Sequence, residues 1–192
     1  MHPGEILGTV AVLFTVVGLV GYWLSLYNSL VALRNNIGRS WANIDVLLKQ
    51  RHDELPKLVK TCEAYMRHER EVFDRLSEAR GALMKAHTVP QRAEAENQLT
   101  RALGQFFAVA EAYPELKANH SFLQLQTRIS ELENQIADRR EMYNDTVTLF
   151  NTRLDQIPDK YVAGWLTYGP AELFRADDKD REDVAIEFAM AG

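Results

Sequence analysis

The sequence predicts an all-α protein: an N-terminal transmembrane helix continuing into an antiparallel four-helix bundle with long helices. Three observations lead there. Ile6 to Leu33 is free of charge, bounded by Glu5 and Arg34. Beyond it, apolar residues recur every three or four positions in segment after segment, the repeat of a helix with one buried face. The breaks between segments fall at Pro56, Pro90, Pro114 and Pro158, each of which removes a backbone donor.

The first element is the span. A hydrocarbon core of about 30 Å needs about 20 helical residues, and Ile6–Leu26 meets that length without a charge. This gives residues 1–5 as a short extracytoplasmic N-terminus, 6–26 as the transmembrane helix, 27–157 as the bundle and 158–192 as a tail. A cleaved signal peptide requires a basic start and a shorter apolar core; Met-His-Pro-Gly-Glu has neither Lys nor Arg. Tyr22, Trp23 and Tyr27 stand at the end of the run, where aromatic rings favour the headgroup level. The first basic residues, Arg34 and Arg39, follow the span. The positive-inside bias then puts the bundle in the cytoplasm, and these two arginines are expected to meet anionic headgroups.

One face of the span is small. Gly4, Gly8, Ala11, Thr15, Gly18 and Ser25 follow one another at spacings of four and three, interrupted by Tyr22. Small faces let transmembrane helices approach closely, so self-association is expected there.

The soluble helices follow. Leu30, Leu33, Ile37, Trp41, Ile44, Leu48 and Leu55 extend the first helix out of the membrane; Pro56 either kinks it or, the favoured expectation, marks its end, with Asp53 as a cap for the next. The second stripe runs from Leu55 through Cys62, Met66, Phe73, Leu76 and Leu83 to about Ala86. A third helix is expected from near Gln91, through Leu99, Leu103 and Phe106, until Pro114. The fourth stripe is the clearest: Phe122, Leu125, Ile129, Leu132, Ile136, Tyr143, Val147, Phe150, Leu154 and Ile157, capped by Asn119 or Ser121. About 36 residues at 1.5 Å each make it roughly 50 Å long. Burying one Leu or Phe is worth about 1.5–3 kcal/mol, so four such stripes are expected to face one axis. In the tail, Tyr161, Trp165, Tyr168 and Phe174 are expected to cover the end of the bundle. An acidic run, Asp177-Asp178-Lys179-Asp180, and an alternating stretch from Val184 to Met190, a short strand or weak helix, complete the chain.

Charge and composition narrow the function. The chain has 192 residues and a net charge of −5, which disfavours nucleic acid as a partner. Its single cysteine, Cys62, cannot form an intrachain disulfide; on an apolar stripe it reads as a packed thiol. No Glu-x-x-His pair, zincin helix, CxxC pair or glycine-rich phosphate loop is present, so no catalytic, cofactor-binding or metal-ligating residue is expected. His52 beside Asp53 and His68 beside Glu69 read as solvated pairs. Asn28, Asn35, Asp45, Tyr143 and Asn144 lie near apolar stripes and are expected to fix register through hydrogen bonds.

Several blocks resemble the LemA family of bacterial membrane-anchored proteins. They are Tyr27-Asn28-Ser29-Leu30-Val31-Ala32-Leu33-Arg34-Asn35 with Trp41 and Ile44-Asp45-Val46; Leu48-Lys49-Gln50-Arg51 with Leu55-Pro56; Tyr113-Pro114-Glu115-Leu116-Lys117-Ala118-Asn119; and Glu133-Asn134-Gln135-Ile136-Ala137 with Tyr143-Asn144-Asp145. Lys57 and Met142 depart from the pattern, and the resemblance covers about Tyr27–Pro158. It implies one span in the bacterial inner membrane, a four-helix bundle and no enzymatic activity. Relatives of this kind include magnetosome proteins and neighbours of HtpX-type membrane proteases. The expected partners are therefore membrane lipids, further copies of the chain and other membrane proteins such as an HtpX-type protease. A scaffold is the leading expectation, and a lipid-organising module that shapes or marks a membrane patch is the alternative.

Overall fold

In the computed structural model, which describes residues 3–175, the charge-free run and the first soluble stripe form one helix, α1, Pro3–Cys62. It is followed by α2 (Arg70–Lys85), α3 (Val89–Ala110), α4 (Pro114–Lys117), α5 (His120–Asp155) and α6 (Asp159–Trp165). The protein is all-α, with no strand among the described residues. The acidic run and the Val184–Met190 stretch lie outside the described residues.

Pro56 does not end the first helix, as the sequence suggests; it sits inside α1. An interior proline leaves the carbonyl four residues back, here that of His52, without its donor, at about 3 kcal/mol. Leu55, Leu58 and Cys62, on either side of it, are all buried. At about 1.5–3 kcal/mol for each buried leucine, that packing outweighs the lost bond. The break comes instead after Cys62, whose carbonyl accepts from the backbone N–H of Tyr65 (3.0 Å) and Met66 (2.9 Å). Arg67-His68-Glu69 follows with no apolar member, so no apolar contact carries the helix on before α2 opens at Arg70. The expected second helix is thus divided between the end of α1 and α2.

The later boundaries have local causes. Thr88 and Gln91 form a reciprocal cap: Gln91 N–H donates to Thr88 Oγ1 and Thr88 N–H to Gln91 Oε1, both at 3.3 Å. Pro90, in the first turn, needs no donor, so α3 starts at Val89, slightly before the Gln91 expected. Pro114 opens α4 rather than only closing α3. Of the two candidate caps for α5, Asn119 acts: its Oδ1 accepts from Phe122 N–H at 3.1 Å.

The chain divides into two compact units, both drawing on α1 and α5. Among the described residues, one comprises 49–134 and 174–175. Its core joins Leu55, Leu58, Cys62 and Met66 to Leu76 of α2, Leu99, Leu103 and Phe106 of α3, Leu116 of α4, and Phe122 and Ile129 of α5. Phe106 meets Phe73 and Phe107 edge-on, with ring centroids 5.6 and 5.9 Å apart. The other comprises Met1–Leu48 and Gln135–Leu173. There Leu26 and Leu30 of α1 pack with Val162 and Ala163 of α6, and Leu154, Leu166 and Tyr168 close over them.

Candidate functional site

From Leu7 to Ser25 every residue of α1 is exposed, and none of the apolar window that could cross a membrane is buried against the rest of the chain. Burial begins at Leu26 and is complete at Leu30. The expected small face, Gly4, Gly8, Ala11, Thr15, Gly18 and Ser25, is wholly exposed. A Cβ added at Gly4, Gly8 or Gly18 would meet nothing within 4 Å. Thr15 turns its hydroxyl back to the Ala11 carbonyl at 2.9 Å, which removes its polarity from that face.

The aromatics at the end of the span acquire a neighbour from the far end of the sequence. The ring of Tyr27 lies 5.9 Å from that of Trp165 on α6, tilted by 55°. Helix α6 is fixed there in two ways. Val162 and Ala163 are buried against Leu26 and Leu30. Arg153 of α5 also grips Asp159 with a two-pronged pair, Nε to Oδ2 at 2.9 Å and Nη2 to Oδ1 at 2.7 Å. Those hydrogen bonds are the main cause holding the Arg153 guanidinium above its ordinary range, against the opposing effect of burial, with the Asp159 charge adding to them.

Tyr22 and Trp23 are exposed and Tyr27 is half-buried. Arg34 and Arg39 are exposed too, but both have company. The Arg34 guanidinium lies over the Phe150 ring, 5.8 Å from its centroid. Arg39 lines an open cleft with Asn36, Ser40, Asn43, Asp145 and Thr146.

The tail aromatics divide. Phe174 is buried, and Tyr168 is half-buried with its ring 5.9 Å from that of Phe150, as a covering role requires. Tyr161 and Trp165 instead face outward. Ile157, counted on the α5 stripe, is also exposed. Among the polar residues expected to fix register, only Tyr143 is buried; its hydroxyl donates to the Glu172 carbonyl at 2.9 Å and its ring packs on Trp41. Asn28, Asn35 and Asp45 are exposed. Asn151 ties the tail down: its side chain exchanges hydrogen bonds with both backbone groups of Ala171.

The sequence reading also missed a buried charge cluster. Arg51 and Glu96 form an ion pair in the unit Lys49–Asn134, and Arg51 Nη1 reaches Thr100 Oγ1 at 3.3 Å and Glu133 Oε1 at 3.4 Å. Burial pushes the Glu133 carboxyl up, while Arg51 and a hydrogen bond from Thr100 pull it down. His52 pairs with Arg80 at 3.0 Å rather than standing in water beside Asp53. Cys62 is fully buried, as its stripe position implies. Among the described residues no three His, Cys, Asp or Glu side chains gather to hold a metal ion.

Comparison with known proteins gives a consistent picture. The model of the LemA family matches residues 40–188, so the match runs about thirty residues into the tail, past the Pro158 at which the resemblance in sequence blocks stops. "Magnetosome protein MamQ 2" of Paramagnetospirillum magneticum is 25% identical, over 96% of this chain and 76% of the relative. "Protein LemA" of Metamycoplasma hominis is 28% identical, over 82% of this chain and 72% of the relative. "Magnetosome protein MamQ" of Magnetospirillum gryphiswaldense is 21% identical, over 96% and 76%.

Proposed function

Because the chain belongs to the LemA family, we propose that it is a membrane-anchored, non-catalytic scaffold. The helix α1 crosses the bacterial inner membrane once, with the N-terminus outside and the helical units in the cytoplasm. Copies associate through Gly4, Gly8, Ala11, Thr15, Gly18 and Ser25 and present the soluble part to other membrane proteins. The observation that carries this reading is the abrupt change along α1. Residues 7–25 are fully exposed apolar helix, and from Leu26 the same helix is built into a packed unit. A soluble helix that apolar would be buried, so lipid is its natural solvent. The exposed small face supports self-association, since it lets two helix backbones approach closely. The names of the relatives, LemA and magnetosome proteins, carry no reaction, which supports a structural role.

Sizing of the detergent-extracted chain tests it. The wild type should run as an assembly. The paired substitutions Gly8→Leu and Gly18→Leu should reduce it to a monomer while leaving the helical circular dichroism unchanged. If assembly size does not change, self-association by this face is wrong. A chain released from vesicles by high salt would remove the anchor itself.

A further inference from the structure

The outer side of α6 carries large apolar side chains that stay mostly exposed among the described residues. Ile157, Tyr161 and Trp165 are 74%, 64% and 71% exposed. Tyr161 and Trp165, four apart on α6, lie along one helical line, with Ile157 in the turn before it, while Val162, Ala163 and Leu166 pack inward on α1. Three large exposed side chains in a row cost free energy in water, and α6 is held too firmly by the Arg153–Asp159 pair to turn them in.

The position of this line identifies what covers it. Tyr27 follows directly on Leu26, the last residue of the 21-residue span, so it stands about 1.5 Å beyond the hydrocarbon edge. Trp165 packs against Tyr27, with ring centroids 5.9 Å apart, and so lies within that distance of the same depth. Trp23 and Leu24, both exposed, stand four and three residues before Tyr27, one turn along α1 from the residue that Trp165 meets. Indole and phenol rings favour the boundary between acyl chains and headgroups, and Lys160, exposed beside Tyr161, suits anionic headgroups.

We propose that α6, with Ile157 before it, is an interfacial foot: it rests on the bilayer beside the span through Ile157, Tyr161 and Trp165, so the protein meets lipid at two points. The foot rests on the reading of α1 as a membrane anchor, and the test separates the two. The three tryptophans are Trp23, Trp41 and Trp165. Two full-length chains are reconstituted into vesicles of phosphatidylcholine and phosphatidylglycerol whose upper acyl chains carry bromine. One keeps only Trp165 (Trp23→Phe, Trp41→Phe); the other keeps only Trp23 (Trp41→Phe, Trp165→Phe). The bromolipid is expected to remove about half or more of the emission in both chains, as befits indoles at the headgroup–acyl boundary, and to leave Trp165 shielded from aqueous acrylamide. Quenching of Trp23 but not Trp165, with Trp165 open to acrylamide, overturns the foot and leaves the anchor standing. Quenching of neither overturns both. If Trp165 is shielded from acrylamide yet untouched by bromolipid, another protein surface covers α6 and the foot is wrong.

Discussion

Arg51 of α1 and Glu96 of α3, 45 residues apart in the chain, form an ion pair whose side chains are 2% and 1% exposed. Neither charge can be solvated by water, so each depends on the other and on Thr100 and Glu133 around Arg51. Such a pair is weak evidence of net stabilisation, but removing one member leaves a buried charge behind.

Glu96→Ala is therefore expected to cost about 3–5 kcal/mol in denaturant unfolding followed by circular dichroism. Arg51→Met combined with Glu96→Leu is expected to cost less than Glu96→Ala alone, because neither fully buried charge is stranded, and Glu133, which loses Arg51, is 29% exposed and keeps contact with water. A double variant as unstable as the single one would show that the pair's geometry, not its charge, matters.

Cys62 offers a probe of the same unit. Burial pushes its thiol up to about 12, and its side chain has no access to solvent. Maleimide labelling of the folded chain near neutral pH is expected to be at least about a hundredfold slower than in denaturant, since only an exposed thiolate reacts. Equal rates in the two states would contradict the packing.

His52 gives the pH dependence a sign. Burial lowers its pKa from 6.5, Arg80 lowers it further, and Asp53 opposes. With Arg80 donating, Nε2 accepts, which suits the neutral ring. On acidification the unfolded chain takes up the proton first, near 6.5, while the folded ring stays neutral. The stabilisation is thus present above that value and is lost as pH falls through it toward the lower folded value. Between about pH 8 and about pH 5.5 the wild type is expected to lose more stability than His52→Gln, the difference being this one group's linkage. Identical losses would place His52 outside the coupling.

Pro56 is a prediction about helix continuity. In a helix interior, proline is about 3 kcal/mol less favourable than alanine, offset by about 0.4–1 kcal/mol from its stiffening of the unfolded chain. Pro56→Ala is expected to stabilise the protein by about 2 kcal/mol, because the restored N–H can reach the His52 carbonyl and Pro56 is exposed. Were the residue a true helix boundary, the substitution would bring no gain.

Much of the fold was legible because burial follows a period. The members of the α5 stripe from Phe122 to Phe150 are buried except Leu125, which is half-buried, and Asn119 caps that helix as one of two candidates. The α1 break was misplaced because Pro56 is a strong local signal. The gap between Met66 and Val72, with no apolar residue, is the better one. The charge cluster was also partly legible: Arg51 lies between Leu48 and Leu55, and Glu96 three residues before Leu99, each in a stripe position where an apolar side chain is due. Only pairing across helices explains why either is tolerated there.

The sequence by itself determined the apolar run, the helical repeat and the capping signals, because each depends on residues within a few turns of one another. The tertiary structure decided what no local spacing contains. Arg51 finds Glu96 on another helix, and the seven-residue α6, too short to be stable alone, docks at Leu26 and Leu30, bringing Trp165 to Tyr27. The physical reason is that contacts between distant segments follow from how whole faces pack, and a face has no address in the sequence until its partner is in place.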